Sequence, residues 1–274
     1  MAGLVIELPF RIVDVFTSTP LSGNALCVVF EPAPEPVMAA LAREANLSET
    51  TFVTRTGPLS YDVSIWTPSG ELPFAGHPSL GTAWALGPGR WTQHSPGATV
   101  EVLATDDGAV MTQPDPVFTE VSPEPAVLAL GLTPGPEDAA WVADVAGTRH
   151  LLVATQRPLD RLHPQQDQLV AVTGTAKTTG VAVFALIDDE SLHARVFIPG
   201  STVPEDPGTG SAAGAIGLLG RRLWGMAPDL VVHQGREIGR PCRIEVHAEE
   251  GRMRVGGAVV ASAEGRFTLA PPLG

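Results

Sequence analysis

The sequence predicts an α+β protein made of two similar halves, and three observations predict it. Strand-like runs outnumber helical ones, with 26 prolines and 29 glycines punctuating the 274 residues into short elements. The order strand, strand, helix, strand, strand, helix occurs twice. A short motif also recurs at the last helix of each half: "HPSLGTA" (77–83) lies over "DPGTGSA" (206–212) at a constant offset of 129 residues.

In the first half, alternating or β-branched runs at 10–17, 24–30, 50–55 and 61–67 read as strands. Between the second and third lies "EPVMAALAREAN" (35–46), where Val37, Leu41 and Ala45 recur every fourth residue. Pro36 stands near its start and Asn46 at its end, so this segment reads as a helix. A second helix begins near Pro78. The other half gives strands at 139–146, 149–155, 181–187 and 193–199, a helix over 165–172 and a glycine- and alanine-rich helix starting near Gly210. Prolines and acids interrupt the apolar pattern in "TQPDPVFTEVSPEP" (112–125), so the halves divide there, as residues 1–118 and 119–274. A last strand reads at "GRFTLAPP" (265–272), and either half, the N-terminal one included, could receive it.

With 44% hydrophobic and 17% charged residues, the chain has the composition of a folded globular protein and not of a disordered one. A formal charge of −13 opposes attraction to phosphate backbones and anionic lipids, so neither nucleic acid nor a membrane is an expected partner. No apolar run approaches the ~20 residues of a spanning helix. The N-terminus also lacks the basic start and long apolar core of a secretory signal, so the expected location is cytoplasmic. Cys27 and Cys242 lie in no metal or redox spacing and are expected as small buried apolar residues.

The chemistry lies in the recurring motif. A proline follows His77 in the first copy and Asp206 in the second, and a glycine with a hydroxyl residue comes shortly after. The first N–H groups of a helix lack partners within it, and the helix dipole adds to their pull on an anion. Two such starts facing each other would hold a small carboxylate, with His77 and Asp206 on opposite walls of one cleft, as a two-sided proton transfer requires. Asp206 is also a good N-cap, and that plainer reading stands beside the functional one; for His77 it is weaker. Glu49 in "NLSETTFV" (46–53) is a third candidate, although Ser48 and Glu49 equally make an ordinary polar turn. Desolvated beside the cleft, its carboxyl would hold a proton near neutral pH.

Other chemistries find no constellation. "GTGSAAG" (208–214) has the wrong spacing for a dinucleotide fingerprint and follows two acids that would repel a pyrophosphate. There is no P-loop, no G-x-S-x-G elbow and no H-E-x-x-H pair. A protein that binds small carboxylates without turning them over is the alternative from a different class.

Four stretches in this order, "VDVFTSTPLSGNALCVV" (13–29), "NLSETTFV", "IWTPSGELPFAGHPSLGTAWAL" (65–86) and "RVFIPGSTVPEDPGTGSAAG" (195–214), closely resemble the PhzF family of phenazine-biosynthesis isomerases. The resemblance implies a diaminopimelate epimerase-like fold of two pseudo-symmetric domains, each a curved, mostly antiparallel sheet around a central helix, with the site between them. It implies an isomerase that needs no cofactor or metal and moves a proton in a small unsaturated carboxylic acid, such as trans-2,3-dihydro-3-hydroxyanthranilate, in phenazine or other antibiotic metabolism. By the same resemblance Glu49 is the general acid/base, His77 and Asp206 contact the substrate beside it, and Gly76, Gly210 and Ser211 donate hydrogen bonds to its carboxylate. A homodimer is implied as well. Epimerases of this fold use two cysteines where this chain has His77 and Asp206, which argues against thiol chemistry. Gly208, where alanine is more common, is a small departure, expected to affect loop freedom more than chemistry.

Overall fold

Two buried helices organise the molecule, each filling a curved sheet. A computed structural model describes residues 6–201 and 203–269. The first half contains β1 (Ile6–Val15), β2 (Asn24–Val29), α1 (Glu35–Ala45), β3 (Glu49–Gly57), β4 (Ser60–Thr67), β5 (Gly70–Leu72), α2 (Gly76–Leu86), β6 (Gly89–His94), β7 (Thr99–Ala104) and β8 (Gly108–Thr112). The second contains β9 (Val117–Val121), α3 (Glu124–Ala129), β10 (Ala139–Val145), β11 (Thr148–Ala154), α4 (Gln166–Ala176), β12 (Gly180–Asp188), β13 (Ser191–Phe197), β14 (Glu205–Asp206), α5 (Gly210–Trp224), β15 (Asp229–Gln234), β16 (Cys242–His247) and β17 (Arg254–Leu269), with a 3-10 turn at Arg236–Ile238.

Strand pairing shows the duplication directly. Along β1, β2, β3, β4, β6, β7 and β8 the successive pairings are antiparallel, parallel, antiparallel, parallel, antiparallel and antiparallel. The same series runs along β10, β11, β12, β13, β15, β16 and β17. In each half one helix lies between the second and third strands of the series and another precedes the fifth. The long β17 serves both: its start pairs with β16 and β8, and its remainder pairs with β1, which closes the first sheet around α2. The end of the expected last strand, 270–272, lies outside the described residues.

The helices divide by composition. α1 has apolar residues on one face only, carries Pro36 in its first turn, and ends at Asn46 in the left-handed region (φ 49°) with its N–H on the Ala42 carbonyl at 3.1 Å. Its buried side, Leu41 and Ala42, covers Cys27, Val29 and Phe52 on the outside of the first sheet. α2 instead is buried all round except at Trp84 and Leu86, as a helix enclosed by a sheet must be. α2 and α5 share one apolar core that runs through both halves, while α3 and α4 pack outside the second sheet. Both cysteines are buried and unpaired, as expected. Among the described residues no helix is long and apolar enough to cross a membrane.

Candidate active site

The turn before β2 places the first site residue. Gly23 adopts φ 65°, and a Cβ there would lie 2.5 Å from the Val15 carbonyl oxygen, so only glycine can make this turn into Asn24. β3 runs parallel to β2 with Glu49 beside Leu26. From the second half, Asp206 pairs with Val196 on β13, and the chain then turns through Pro207–Thr209 into α5.

α2 and α5 meet start to start. A Cβ on Gly76 would lie 3.2 Å from the Ser211 amide nitrogen, and one on Gly210 would lie 3.7 Å from that of His77. These reciprocal contacts set Gly76 against Gly210, whereas the sequence match set Gly81 against Gly210. The two helices themselves start at Gly76 and Gly210, 134 residues apart (210 − 76), against the offset of 129 in the sequence match. The amides of Gly76, His77, Gly210 and Ser211 make no backbone hydrogen bond among the described residues, while those of Ala212 and Ala213 already reach the Thr209 carbonyl. Phe16, held at φ 67°, lays its ring against Gly208 and Gly210, so the first half packs directly on the start of α5.

Glu49, His77 and Asp206 converge here. His77 Nε2 lies 3.3 Å from Glu49 Oε2, and both atoms are buried with no aligned hydrogen-bond partner among the described residues. Proximity does not make this an ion pair. Burial raises the Glu49 carboxyl to about 8, with the Asp206 charge adding to the effect, and burial lowers His77 to about 3. At neutral pH a protonated Glu49 therefore faces a neutral imidazole. Asp206 is also shifted upward by burial, against hydrogen bonds from Thr209, Asn24 and the Gly208 amide.

The bonds around Asp206 set aside the N-cap reading. Thr209, not Asp206, is the N-cap of α5, and no side chain caps that helix. The Asp206 carboxylate instead accepts from the Thr209 hydroxyl at 2.5 Å and the Asn24 amide at 2.9 Å, and its main-chain oxygen accepts from Gln234 Nε2 at 2.7 Å. The same Asn24 nitrogen is 3.3 Å from His77 Nδ1 and 3.0 Å from the Gly208 carbonyl. Ser211 keeps its amide in the gap while its hydroxyl lies 2.9 Å from Nε2 of buried His150. Thr179 Oγ1 donates to the Arg149 carbonyl at 2.8 Å and so meets His150 Nδ1, at 3.4 Å, as an acceptor. That leaves Nε2 to accept the Ser211 proton. Burial holds His150 near 4, hence neutral.

Asn24, Thr209, Gln234 and His150 were not singled out from the sequence. Asn24 carried the best available signal, a polar residue following glycine at the head of an apolar strand inside the "SGNALCVV" run.

Residues 13–265 match the family described as phenazine biosynthesis-like protein, PhzC-PhzF. The chain belongs to this family. It is 37% identical over 284 residues to the trans-2,3-dihydro-3-hydroxyanthranilate isomerase of Pseudomonas aeruginosa, covering 95% of this chain and 99% of that protein. A solved structure of a predicted epimerase from Pseudomonas aeruginosa superposes with a TM-score of 0.82 at 28% identity, covering 95% of this chain and 99% of that one. A hydroxyproline epimerase from Agrobacterium vitis shares the fold, with a TM-score of 0.65 at 11% identity over 98% of this chain and 94% of that one. The PhzF-family chain thus has the two-domain, epimerase-like α+β fold.

Proposed function

We propose that this PhzF-type isomerase moves a proton, and with it a double bond, within a small unsaturated amino or hydroxy carboxylic acid, using Glu49 as the proton carrier. The observation that carries this reading is a buried carboxyl, held near 8, beside a neutral imidazole at the mouth of two facing helix starts. A carboxyl with that affinity releases and regains a proton near neutral pH, the property a shuttle needs. The free amides of Gly76, His77, Gly210 and Ser211, backed by two helix dipoles, would anchor the substrate carboxylate.

The ionised form of Glu49 takes a carbon-bound proton and leaves a conjugated anion. The resulting neutral carboxyl returns that proton to another carbon of the same system, so the product is an isomer and no co-reactant is consumed. His77 donates from Nε2 to oxygen or nitrogen on the substrate, and Asp206 accepts from its hydroxyl or amino group. Trans-2,3-dihydro-3-hydroxyanthranilate, named in the Pseudomonas relative, is the first substrate to test, within phenazine or related antibiotic metabolism. The working form is taken as a cytoplasmic homodimer.

Incubation with that acid in deuterated water should give an absorbance change together with deuterium at carbon. Thermal stabilisation by the acid with neither change would replace this reading by carboxylate binding without turnover.

A further inference from the structure

The Asn24 amide lies beside the His77 ring, against Nδ1. Its nitrogen donates its two hydrogens to Asp206 Oδ1 at 2.9 Å and the Gly208 carbonyl at 3.0 Å, and it also lies 3.3 Å from His77 Nδ1. Turning the amide over would set its oxygen against the Gly208 carbonyl oxygen, which can only accept, and would forfeit that hydrogen bond. The amide keeps its orientation even though its Oδ1 is buried without a partner among the described residues. An amide nitrogen cannot accept, so a proton on Nδ1 would point at a group with nothing to receive it; a lone pair there instead meets the positive side of the NH2, and in a neutral imidazole the proton then sits on Nε2. Nε2 is the nitrogen that faces Glu49.

We propose that Asn24 is a positioning residue that holds His77 in the Nε2–H tautomer, so that the imidazole meets the substrate as a hydrogen-bond donor and never as a base. This rests on reading the site as a proton-shift centre. It divides the labour there: Glu49 carries the proton, and His77 polarises the group next to it. The same amide ties the two halves together, because Asn24 begins β2 in the first half whereas Asp206 and Gly208 precede α5 in the second. One side chain thus fixes both the tautomer and the spacing of the two flanking polar groups.

The test is the ring-nitrogen spectrum of protein labelled with 15N-histidine, with His77 assigned by the signal lost in His77→Gln. In the wild type, His77 Nε2 is expected as the protonated, pyrrole-type nitrogen and Nδ1 as the pyridine-type one. Asn24→Ala should populate both tautomers, and Asn24→Asp should put a proton on Nδ1. With trans-2,3-dihydro-3-hydroxyanthranilate as substrate, Asn24→Asp should lower kcat by about 10²- to 10⁴-fold, the range for a misplaced acid–base partner, with a far smaller change in KM. A wild-type ring protonated on Nδ1 would overturn the assignment, as would an unmixed Nε2–H signature in Asn24→Ala. Those two spectra decide the matter even where Asn24→Asp does not fold. They need no turnover, so failure of the isomerase reading and failure of this one are separable.

Discussion

Glu49→Gln tests the proton on Glu49 without any substrate. The carboxyl titrates near 8 in the folded protein against an ordinary value of 4.5. Between those values the folded protein keeps a proton that the unfolded chain has released, so stability falls as pH rises, by about 1.4 kcal/mol per pH unit. The full window is worth at most about 5 kcal/mol. His77 and His150 act in the opposite sense, because burial holds them near 3 and 4, below their ordinary 6.5. Their contribution is complete once pH exceeds about 6.5. From there to about 8 the wild type should lose about 2 kcal/mol relative to Glu49→Gln. Urea unfolding of both proteins, at matched m-values from pH 5 to 9, reads this difference. A wild-type-minus-variant difference that stays constant across that range would refute the raised proton affinity of Glu49, the observation on which the proposed function rests.

Two further outcomes follow from the packing around the site. Asp14 is buried, pairs with Arg240 Nη2 at 2.7 Å and accepts from the Leu21 amide at 2.7 Å. Arg240→Met should therefore lower stability by about 3–5 kcal/mol by stranding that charge, with Asp14→Asn on the same background recovering part of the loss in urea unfolding. A Cβ on Gly208 would lie 2.7 Å from Cys242 Sγ and 3.0 Å from the Phe16 ring, so Gly208→Ala should destabilise by about 1–3 kcal/mol. Cys242→Ala should stabilise that variant while destabilising the wild type, a sign reversal visible in thermal unfolding.

The Gly208 contact also lies beyond what a local sequence pattern encodes. That residue was expected to alter loop freedom, yet its missing side chain makes room for a cysteine far along the chain, and no local pattern encodes this neighbour. Segments with strong periodicity were legible: 35–46 is α1 with Asn46 as its left-handed end, and the runs at 50–55, 61–67 and 181–187 fall within β3, β4 and β12. β7 was missed although its burial alternates strictly, as were β15 and β16, whose runs carry charges on the solvent side. Glu49, His77 and Asp206 were visible as oddly placed polar residues, and the structure brings them together. Asn24 leaves only a faint local signal, and Gln234 and His150 leave none, because each acts on a residue from a distant segment. A side chain whose meaning lies in what it touches leaves no spacing to read.

The strand shared between the halves has a consequence for how the chain comes together. Because β17 follows the whole second half in sequence yet supplies the stave that seals the first sheet around α2, that sheet has no finished form while the ribosome is still making residues beyond it. The early segments must wait, their apolar lining exposed, for the last strand to be made. Such late, long-range closure slows folding and prolongs exposure to aggregation, so a chain cut before Arg254 would lack the closing strand of its first half along with the end of its second.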